Sequence, residues 1–197
     1  MKVNVVYAHP ADDSFNASLH QRLLHTFRAR GDEVIDFDLY AMKFDPAMRE
    51  DEWRGHEEPL PPPRDLEVYV EALTWADACV FCFPTWWCGM PAILKGYFDR
   101  VWRPGVAFDV PPNGGLIKPA LRNIRRMGVV TTGGSPWWYT RLLTQDPARK
   151  VLLRGLKTTC CGIGVKHLYL AQHSIYDISP DAREKFALKV EQRFAQF

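Results

Sequence analysis

One short stretch, from Val80 to Gly96, constrains the fold of this chain more than any other part of it. Residues 78–83 form an apolar run, typical of a strand that is buried on both faces. Pro84 is expected to end this strand, because proline has no N–H to donate to a sheet. Pro91 suits the first turn of a helix that continues to Trp102. The loop between the two prolines therefore lies at the carboxyl end of a buried strand, where open α/β sheets bind ligands.

The rest of the chain alternates strands and helices at regular spacing. Strands are predicted at residues 3–8, 33–39, 78–83, 126–132 and 165–170, and helices at 14–31, 65–75, 92–102, 147–156 and 181–194. This alternation predicts an α/β fold with a parallel sheet covered by helices on both faces. With 197 residues, the chain is expected to form one domain, residues 1–197.

Two proline-rich segments, residues 40–63 and 103–123, interrupt this pattern. Both are too long for plain connections between elements. Loops of this length tend to be functional or to contact a neighbouring subunit. The sequence therefore predicts that these segments do more than join strands to helices.

Composition gives no sign of several classes of partner or ligand. The net charge of +2 is too small to indicate a nucleic-acid or membrane partner. The sequence contains neither an apolar run of transmembrane length nor a signal-peptide pattern, so a cytoplasmic protein is expected. All five cysteines are interpreted as small buried hydrophobic residues. With the six histidines they show no metal-ligand spacing, so no metal site is predicted.

The loop after the first predicted strand precedes a helix N-terminus, where free N–H groups favour an anion. Ser14 and Asn16 could hydrogen-bond phosphate oxygens, and His9 adds a further donor. Alternatively, Ser14 acts only as the helix N-cap. Asp12 and Asp13 disfavour phosphate unless they face solvent.

Two further loops carry unusual residues to the same edge of the sheet. Trp86 and Trp87 stand together in the loop of residues 84–90, and Trp137 and Trp138 in the loop that follows the fourth predicted strand. These are four of the seven tryptophans in the chain, which favours a flat aromatic ligand over chance packing. Subunit contact and local packing remain as alternatives for the first pair. Polar donors for such a ligand are available from Thr131, Thr132, Gly133 and Gly134, although Gly-Gly also makes ordinary turns.

Almost the whole chain resembles the flavodoxin-like NAD(P)H:quinone oxidoreductases, the group of DT-diaphorase and the bacterial modulator of drug activity B. The motifs that carry the resemblance are Tyr7-Ala8-His9, Ser14-Phe15-Asn16, Asp38-Leu39-Tyr40-Ala41-Met42, Phe83-Pro84 with Trp87, Gly89-Met90-Pro91-Ala92-Ile93-Leu94-Lys95-Gly96, Val106-Ala107-Phe108, and Thr131-Thr132-Gly133-Gly134 with Tyr139. The resemblance implies a flavodoxin-like, doubly wound sheet of five parallel strands in the order 2-1-3-4-5. It also implies hydride transfer from NAD(P)H, through a bound flavin, to quinone-like acceptors by a ping-pong mechanism.

The resemblance further implies a role for each matching residue. The flavin, FAD or FMN, would be held at its phosphate end by one loop and at its ring by the other two. The implied cofactor-binding residues are His9, Ser14, Phe15, Asn16, Pro84, Thr85, Trp86, Trp87, Cys88, Thr131, Thr132, Gly133, Gly134 and Tyr139. Phe108, where the family has a tyrosine, and Trp138 would bind substrate, and the active site would lie at a homodimer interface.

Tyr139 and Gln145 are the implied catalytic pair, and here the chain departs from the family. The best-known members carry a histidine at the position of Gln145, and glutamine hydrogen-bonds but cannot carry a proton charge at neutral pH. Two other functions stay open from the sequence. Some short relatives are ancillary regulatory subunits of a potassium-efflux transporter, and the chain could also be a one-electron carrier of the flavodoxin type.

Overall fold

The computed structural model describes residues 1–55 and 61–197. Its strands are β1 (Lys2–Tyr7), β2 (Glu33–Asp38), β3 (Ala78–Thr85), β4 (Phe108–Asp109), β5 (Lys118–Pro119), β6 (Arg126–Gly133) and β7 (Lys166–Gln172). Within the described residues, five of them form a parallel sheet in the order β2-β1-β3-β6-β7. This confirms the predicted strand order 2-1-3-4-5. The short strands β4 and β5 form a separate antiparallel pair inside the second proline-rich segment.

The helices are α1 (Phe15–Ala29), α2 (Glu50–Arg54), α3 (Glu67–Trp75), α4 (Ala92–Val101), α5 (Pro147–Lys150) and α6 (Pro180–Ala195). A 3-10 turn precedes α3, and π-helical turns occupy Tyr139–Leu143 and Val151–Cys161. Ser14 and Ser179 cap α1 and α6, because each side chain accepts a backbone N–H from the first turn. The predicted helix at 147–156 is therefore a short α-helix that continues in π-helical form.

Helices cover both faces of the sheet, as predicted. One buried cluster joins alternate sheet residues such as Phe81 to α3, α4 and the π-helical segment. The other joins their neighbours, such as Val80, to α1 and α6. Because successive residues of a strand point to opposite faces, β3 contributes to both clusters and is buried over most of its length.

Pro84 does not end β3, so the predicted strand end at Phe83 is wrong. The strand continues to Thr85, and Pro84 pairs with Thr132 of β6 in register. Successive residues of a parallel strand hydrogen-bond to alternate sides, and the Cys82 carbonyl accepts from Ala8 on the β1 side. Pro84 therefore turns its missing N–H toward β1, whose last paired residue is Tyr7. Proline is tolerated here because β1 has already ended, so Pro84 needs no N–H on that side of β3.

The sequence suggested that the first proline-rich segment is irregular, and this is only partly correct. It contains α2, which is tied to α4 by a buried ion pair between Glu52 and Arg100. Arg100 also donates to the Asp45 carbonyl and contacts Asp65 at 2.8 Å. The later part of the predicted segment, residues 56–60, lies outside the described residues.

Four of the five cysteines are buried, as expected, and all five are free thiols. The expectation is wrong for Cys88, which is half-exposed because it lies in a turn beyond the end of β3. Among the described residues, no group of three or more His, Cys, Asp or Glu side chains is placed to hold a metal ion. No helix in the described part of the chain is both long enough and apolar enough to cross a membrane.

Candidate active site

A groove runs along the carboxyl ends of the central strands and consists of two adjoining cavities. The ring cavity, of about 340 Å³, is lined by Thr85, Trp87, Cys88, Thr131, Thr132, Gly133, Gly134, Ser135, Pro136, Tyr139, Thr140, Asp146, Tyr169, Ala171, Gln172 and His173. The loop cavity, of about 330 Å³, is lined by His9, Asp13, Ser14, Phe15, Asn16, Pro84, Thr85, Trp86, Thr132, Gly133, Gly134, Ile175, Tyr176 and Arg183. The two share Thr85, Thr132, Gly133 and Gly134, so one elongated ligand can occupy both.

The loop cavity lies at the N-terminus of α1. Ser14 is the N-cap of α1, and its hydroxyl accepts the Ala17 N–H at 3.1 Å. The predicted contact of Ser14 with phosphate stays a prediction. The Ala11 N–H donates to Nδ1 of His9 at 3.0 Å. The Ala11 carbonyl lies 3.2 Å from the same nitrogen, so Nδ1 faces the backbone and Nε2 is the ring nitrogen left for a ligand. Asp12 and Asp13 are both exposed, but Asp13 also lines the loop cavity. The condition under which the sequence allowed an anion here is therefore met by Asp12 alone.

Asn16 is buried and connects this loop to the centre of the sheet. Its side-chain amide donates to the hydroxyl of Thr132. The thiol of Cys82 contacts the side-chain and main-chain oxygens of Asn16 at 3.7 Å. Asn16 therefore fixes the first turn of α1 against β6, where the two cavities meet.

A strained turn carries Trp87 into the groove. The N–H groups and carbonyls of Trp86 and Gly89 pair reciprocally at 2.9–3.0 Å. The two central residues, Trp87 and Cys88, have φ of 50° and 61°. Both are left-handed, a conformation that turns of this type normally give to Asn and Gly. The side chain of Trp87 is fully exposed, while Trp86 lies beside His9 with the two ring centres 6.2 Å apart.

The ends of β3 and β6 supply polar groups to the floor of the groove. The hydroxyls of Thr85 and Thr131 hydrogen-bond each other at 2.9 Å, and Thr131 and Thr132 are buried. Gly133 and Gly134 follow. A Cβ on Gly134 would come within 2.6 Å of the exposed ring of Tyr176, so glycine is favoured there by the approach of a neighbouring side chain.

Tyr139 lines the ring cavity at the start of a π-helical turn, a feature that often marks functional sites. Trp138 packs edge-to-face against it, with ring centres 6.1 Å apart. Gln145 is exposed, outside the lining of this cavity, and accepts a hydrogen bond from Lys150 at 2.6 Å. The structure thus brings Tyr139 to the groove, whereas Gln145 is directed elsewhere.

Phe108 lies apart from this groove within a single chain. It lines a third cavity, of about 490 Å³, together with Met48, Trp53, Lys95, Phe98, Asp99, Trp102, Val151 and Leu156. We call this the apolar surface cavity. Since the sequence placed Phe108 in the substrate pocket of a homodimer, its role in substrate binding remains a prediction for the assembled protein.

Three ionisable residues of the ring cavity were not predicted as site residues. Asp146 is the buried N-cap of α5, and its carboxylate accepts a hydrogen bond from the Tyr169 hydroxyl at 3.3 Å. Burial and the Asp146 carboxylate both raise the pKa of Tyr169. Burial, reinforced by Arg141 and opposed by Asp146, lowers the pKa of His173. A sequence signal did exist, because Tyr169, Ala171 and His173 alternate along one face of β7 and its extension, but the predicted strand ended at Leu170.

The groove has the chemistry to hold a flat ring with a polar edge and an anionic tail. Thr85, Thr131, Thr132, Gly133 and Gly134 line the ring cavity, and Trp87 and Tyr139 supply aromatic surface to it. The loop cavity adds the N-terminus of α1, the His9 ring and the guanidinium of Arg183. These groups match an aromatic heterocycle joined to phosphate.

Comparison with known proteins gives consistent results. A family model described as flavodoxin-like fold matches residues 1–196. Ribosyldihydronicotinamide dehydrogenase [quinone] of Rattus norvegicus is 37% identical over 158 residues, which cover 71% of this chain and 67% of that protein. NAD(P)H dehydrogenase [quinone] 1 of the same organism is 30% identical over 199 residues, covering 91% of this chain and 71% of that protein. Among solved structures, Smu.1420 from Streptococcus mutans UA159 superimposes with a TM-score of 0.86 at 32% identity, and the match covers 100% of both chains.

Proposed function

Because this chain belongs to the family with the flavodoxin-like fold, we propose that it is a flavin-dependent NAD(P)H dehydrogenase that reduces quinone-like acceptors. The observation that most strongly supports this proposal is the ring cavity, which is lined by threonine side chains and by the exposed aromatic rings of Trp87 and Tyr139. The names of the two rat relatives, both quinone dehydrogenases, support the same activity. A flavin bound there would supply the hydride chemistry, while the protein supplies binding, orientation and hydrogen bonds.

The residues present fit a flavin. Thr131, Thr132, Gly133 and Gly134 line the ring cavity and would bond the polar edge of an isoalloxazine. Trp87, turned out on its strained loop, offers an aromatic face whose exposure a bound ring would cover. Donor and acceptor of hydride would use the same cavity in turn, which is the basis of a ping-pong mechanism.

We propose FAD as the flavin in preference to FMN. The loop cavity continues past the N-terminus of α1 to Ile175, Tyr176 and Arg183. The Arg183 guanidinium lies over the Phe15 ring at 5.9 Å, which provides a cationic and aromatic surface. An ADP group can bind this surface, because its phosphates are negatively charged and its adenine base is flat. Mass spectrometry of the flavin released from purified protein checks this, and recovery of FMN alone would contradict it.

The enzyme is further proposed to act as a homodimer. The apolar surface cavity combines residues of both proline-rich segments, Met48 and Trp53 from the first and Phe108 from the second. Exposed apolar surface of this kind marks interaction sites in soluble proteins. The corresponding surface of a second copy is the partner that the sequence predicted.

The activity is tested by adding NADPH or NADH to the flavin-loaded protein without oxygen. We expect rapid, complete loss of the oxidised flavin absorbance, followed by its return when a quinone is added. Initial rates at varied donor and acceptor concentrations should give parallel double-reciprocal lines. Flavin that binds but stays oxidised would contradict the proposed activity, and intersecting lines would contradict a single shared cavity.

A further inference from the structure

The ring cavity holds a cluster of ionisable groups that the function above does not use. Asp146 lies at its rim, where the Arg149 N–H donates to Oδ1 at 3.3 Å as the cap of α5. The Tyr169 hydroxyl donates to the same oxygen, also at 3.3 Å. The other oxygen, Oδ2, is buried without a hydrogen bond, and Nε of Arg141 lies 3.7 Å from it. The carboxylate is thus held firmly in place with part of its charge uncompensated.

His173 supplies an imidazole to this cluster. It directly follows β7 and is half-buried. Within residues 1–55 and 61–197, it is the single histidine that lines the ring cavity. Neither ring nitrogen makes a hydrogen bond to the described part of the protein. The ring is therefore free to exchange a proton with a ligand in the cavity.

The proposed reaction requires such a group. Reduction of a quinone to a hydroquinone consumes one hydride and one proton, whereas NAD(P)H supplies only the hydride. The one proton must reach the acceptor oxygen from solvent or from a side chain. Among side chains, imidazole is the one that gains and loses a proton most readily near neutral pH.

We propose that His173 is the proton-carrying residue of the ring cavity. It takes up one proton from solvent when hydride brings negative charge into the cavity, and it releases that proton to the oxygen of the acceptor. Asp146 stabilises the imidazolium between these two proton transfers. The sum is NAD(P)H plus one proton plus quinone giving NAD(P)⁺ plus hydroquinone, so atoms and electrons balance. This inference rests on the proposed function.

The surroundings of the imidazole support this cycle. The groups that face it are Asp146, the N-cap of α5, Tyr139 and Arg141 from the π-helical turn, and Tyr169 from β7. Burial lowers the pKa of His173, Arg141 lowers it further and Asp146 opposes both. The lowered pKa favours the neutral form of the ring before hydride enters the cavity. Additional negative charge in the cavity favours its protonated form.

The test compares proton uptake by three flavin-loaded proteins, the wild type, His173→Gln and His167→Gln. His167 is the matched control, because it lies on the same strand but at its exposed, opposite end. Each protein is reduced without oxygen by one equivalent of NADH in weakly buffered solution at pH 7, and a pH indicator counts the protons taken up. We expect His173→Gln to take up about one proton fewer than the wild type and His167→Gln to match the wild type. The midpoint potential of the flavin in His173→Gln should also depend less steeply on pH. Its slope should correspond to one proton fewer taken up per two electrons than in the wild type.

A second measurement needs no variant. The NMR titration of the His173 ring in the wild type should move to higher pH when the flavin is reduced. Equal proton uptake by all three proteins, or an unmoved titration, would overturn the role of His173 and leave the proposed function intact. Failure of the wild type to bind flavin would instead overturn the proposed function, and this assignment with it.

Discussion

At the scale of single residues, the turn that carries Trp87 combines backbone strain with exposure. A left-handed backbone costs a residue with a Cβ roughly 1–2 kcal/mol, and glycine escapes this cost. The Trp87 side chain is fully exposed, so its removal takes no contacts from the folded chain. We expect Trp87→Gly to raise the free energy of unfolding of the flavin-free protein by about 1 kcal/mol. Loss of the aromatic face should weaken flavin binding by about tenfold.

Urea denaturation and a flavin fluorescence titration measure the two effects. Trp87→Ala is the matched control, because it removes the ring but keeps the Cβ and its strain. It should lose the same flavin affinity without gaining stability. If Trp87→Gly bound flavin as tightly as the wild type, Trp87 would not face the ring.

Tyr139 is the other residue whose role can be isolated. Tyr139→Phe keeps the aromatic ring and removes one hydroxyl from the ring cavity. Loss of a hydrogen bond made during the reaction should lower kcat about tenfold while the flavin content stays unchanged. Single-turnover reduction of the flavin by NADPH measures this directly. An unchanged rate would mean that Tyr139 only forms part of the wall.

Local sequence signals located some of these residues and missed others for a physical reason. Ser14 has the signature of an N-cap, and Trp87 stands out in a loop after a buried strand. Asp146 carries no such signal, and the alternation that leads to His173 continues beyond the predicted end of its strand at Leu170. Asp146 and His173 meet only because β6 and β7 pair in register and bring the segments after them together. A contact that depends on the pairing of strands cannot be read from either strand alone.

At the scale of elements, the close approach of α4 to the first proline-rich segment depends on Gly96. A Cβ at this position would overlap the carbonyl oxygen, Cα and Cβ of Pro46, and these atoms cannot rotate aside as the end of a flexible side chain can. We expect Gly96→Ala to destabilise the protein by about 3 kcal/mol. Gly155→Ala is the control, since a Cβ there has only ordinary contact, with the Lys150 carbonyl at 3.9 Å. It should stabilise the protein by about 0.5–1 kcal/mol. Equal effects of the two variants in chemical denaturation would contradict the close packing at Gly96.

The ion pair between α2 and α4 predicts a dependence of stability on pH. Burial raises the pKa of Glu52, but its bonds to Arg100 and Arg49 outweigh burial and lower the pKa below its usual 4.5. A carboxyl with a lowered pKa stabilises the fold above its unfolded pKa, and this contribution is lost as the pH falls through the folded value. Glu52→Gln should therefore cost about 2 kcal/mol at pH 7 and progressively less below about pH 4.5.

Chemical denaturation of the wild type and Glu52→Gln between pH 3 and pH 7 measures this difference. Glu50→Gln, which removes an exposed pair with Arg54, is the control and should change stability by less than about 0.5 kcal/mol at any of these pH values. A constant gap between wild type and Glu52→Gln would show that the Glu52 charge does not stabilise the fold.

The sequence anticipated the regular elements better than it anticipated the segments that pack on them. The alternation of strands and helices predicted the parallel sheet and its two covering layers, because the buried faces of the sheet leave a strong apolar pattern. The strand order came from the family resemblance. The short helix α2 escaped prediction because its sequence is almost entirely charged. It is stabilised by a distant residue, Arg100, and by its own capping contacts rather than by an apolar face.

At the scale of the whole molecule, the apolar surface cavity predicts the oligomeric state. Trp53 is exposed there beside Met48 and Phe108, although an isolated chain gains stability by burying such side chains. The proposed homodimer would bury them, and Trp53→Asp would place a charge in that contact. We expect the wild type to have twice the mass of one chain in light scattering at micromolar concentration, and Trp53→Asp to have the mass of one chain. Leu188→Asp, an exposed position on α6, is the control and should remain dimeric. If the active site is shared between the two copies, Trp53→Asp will also lose quinone reduction in proportion to the dimer lost, whereas a fully active monomer would show that one chain contains the complete site.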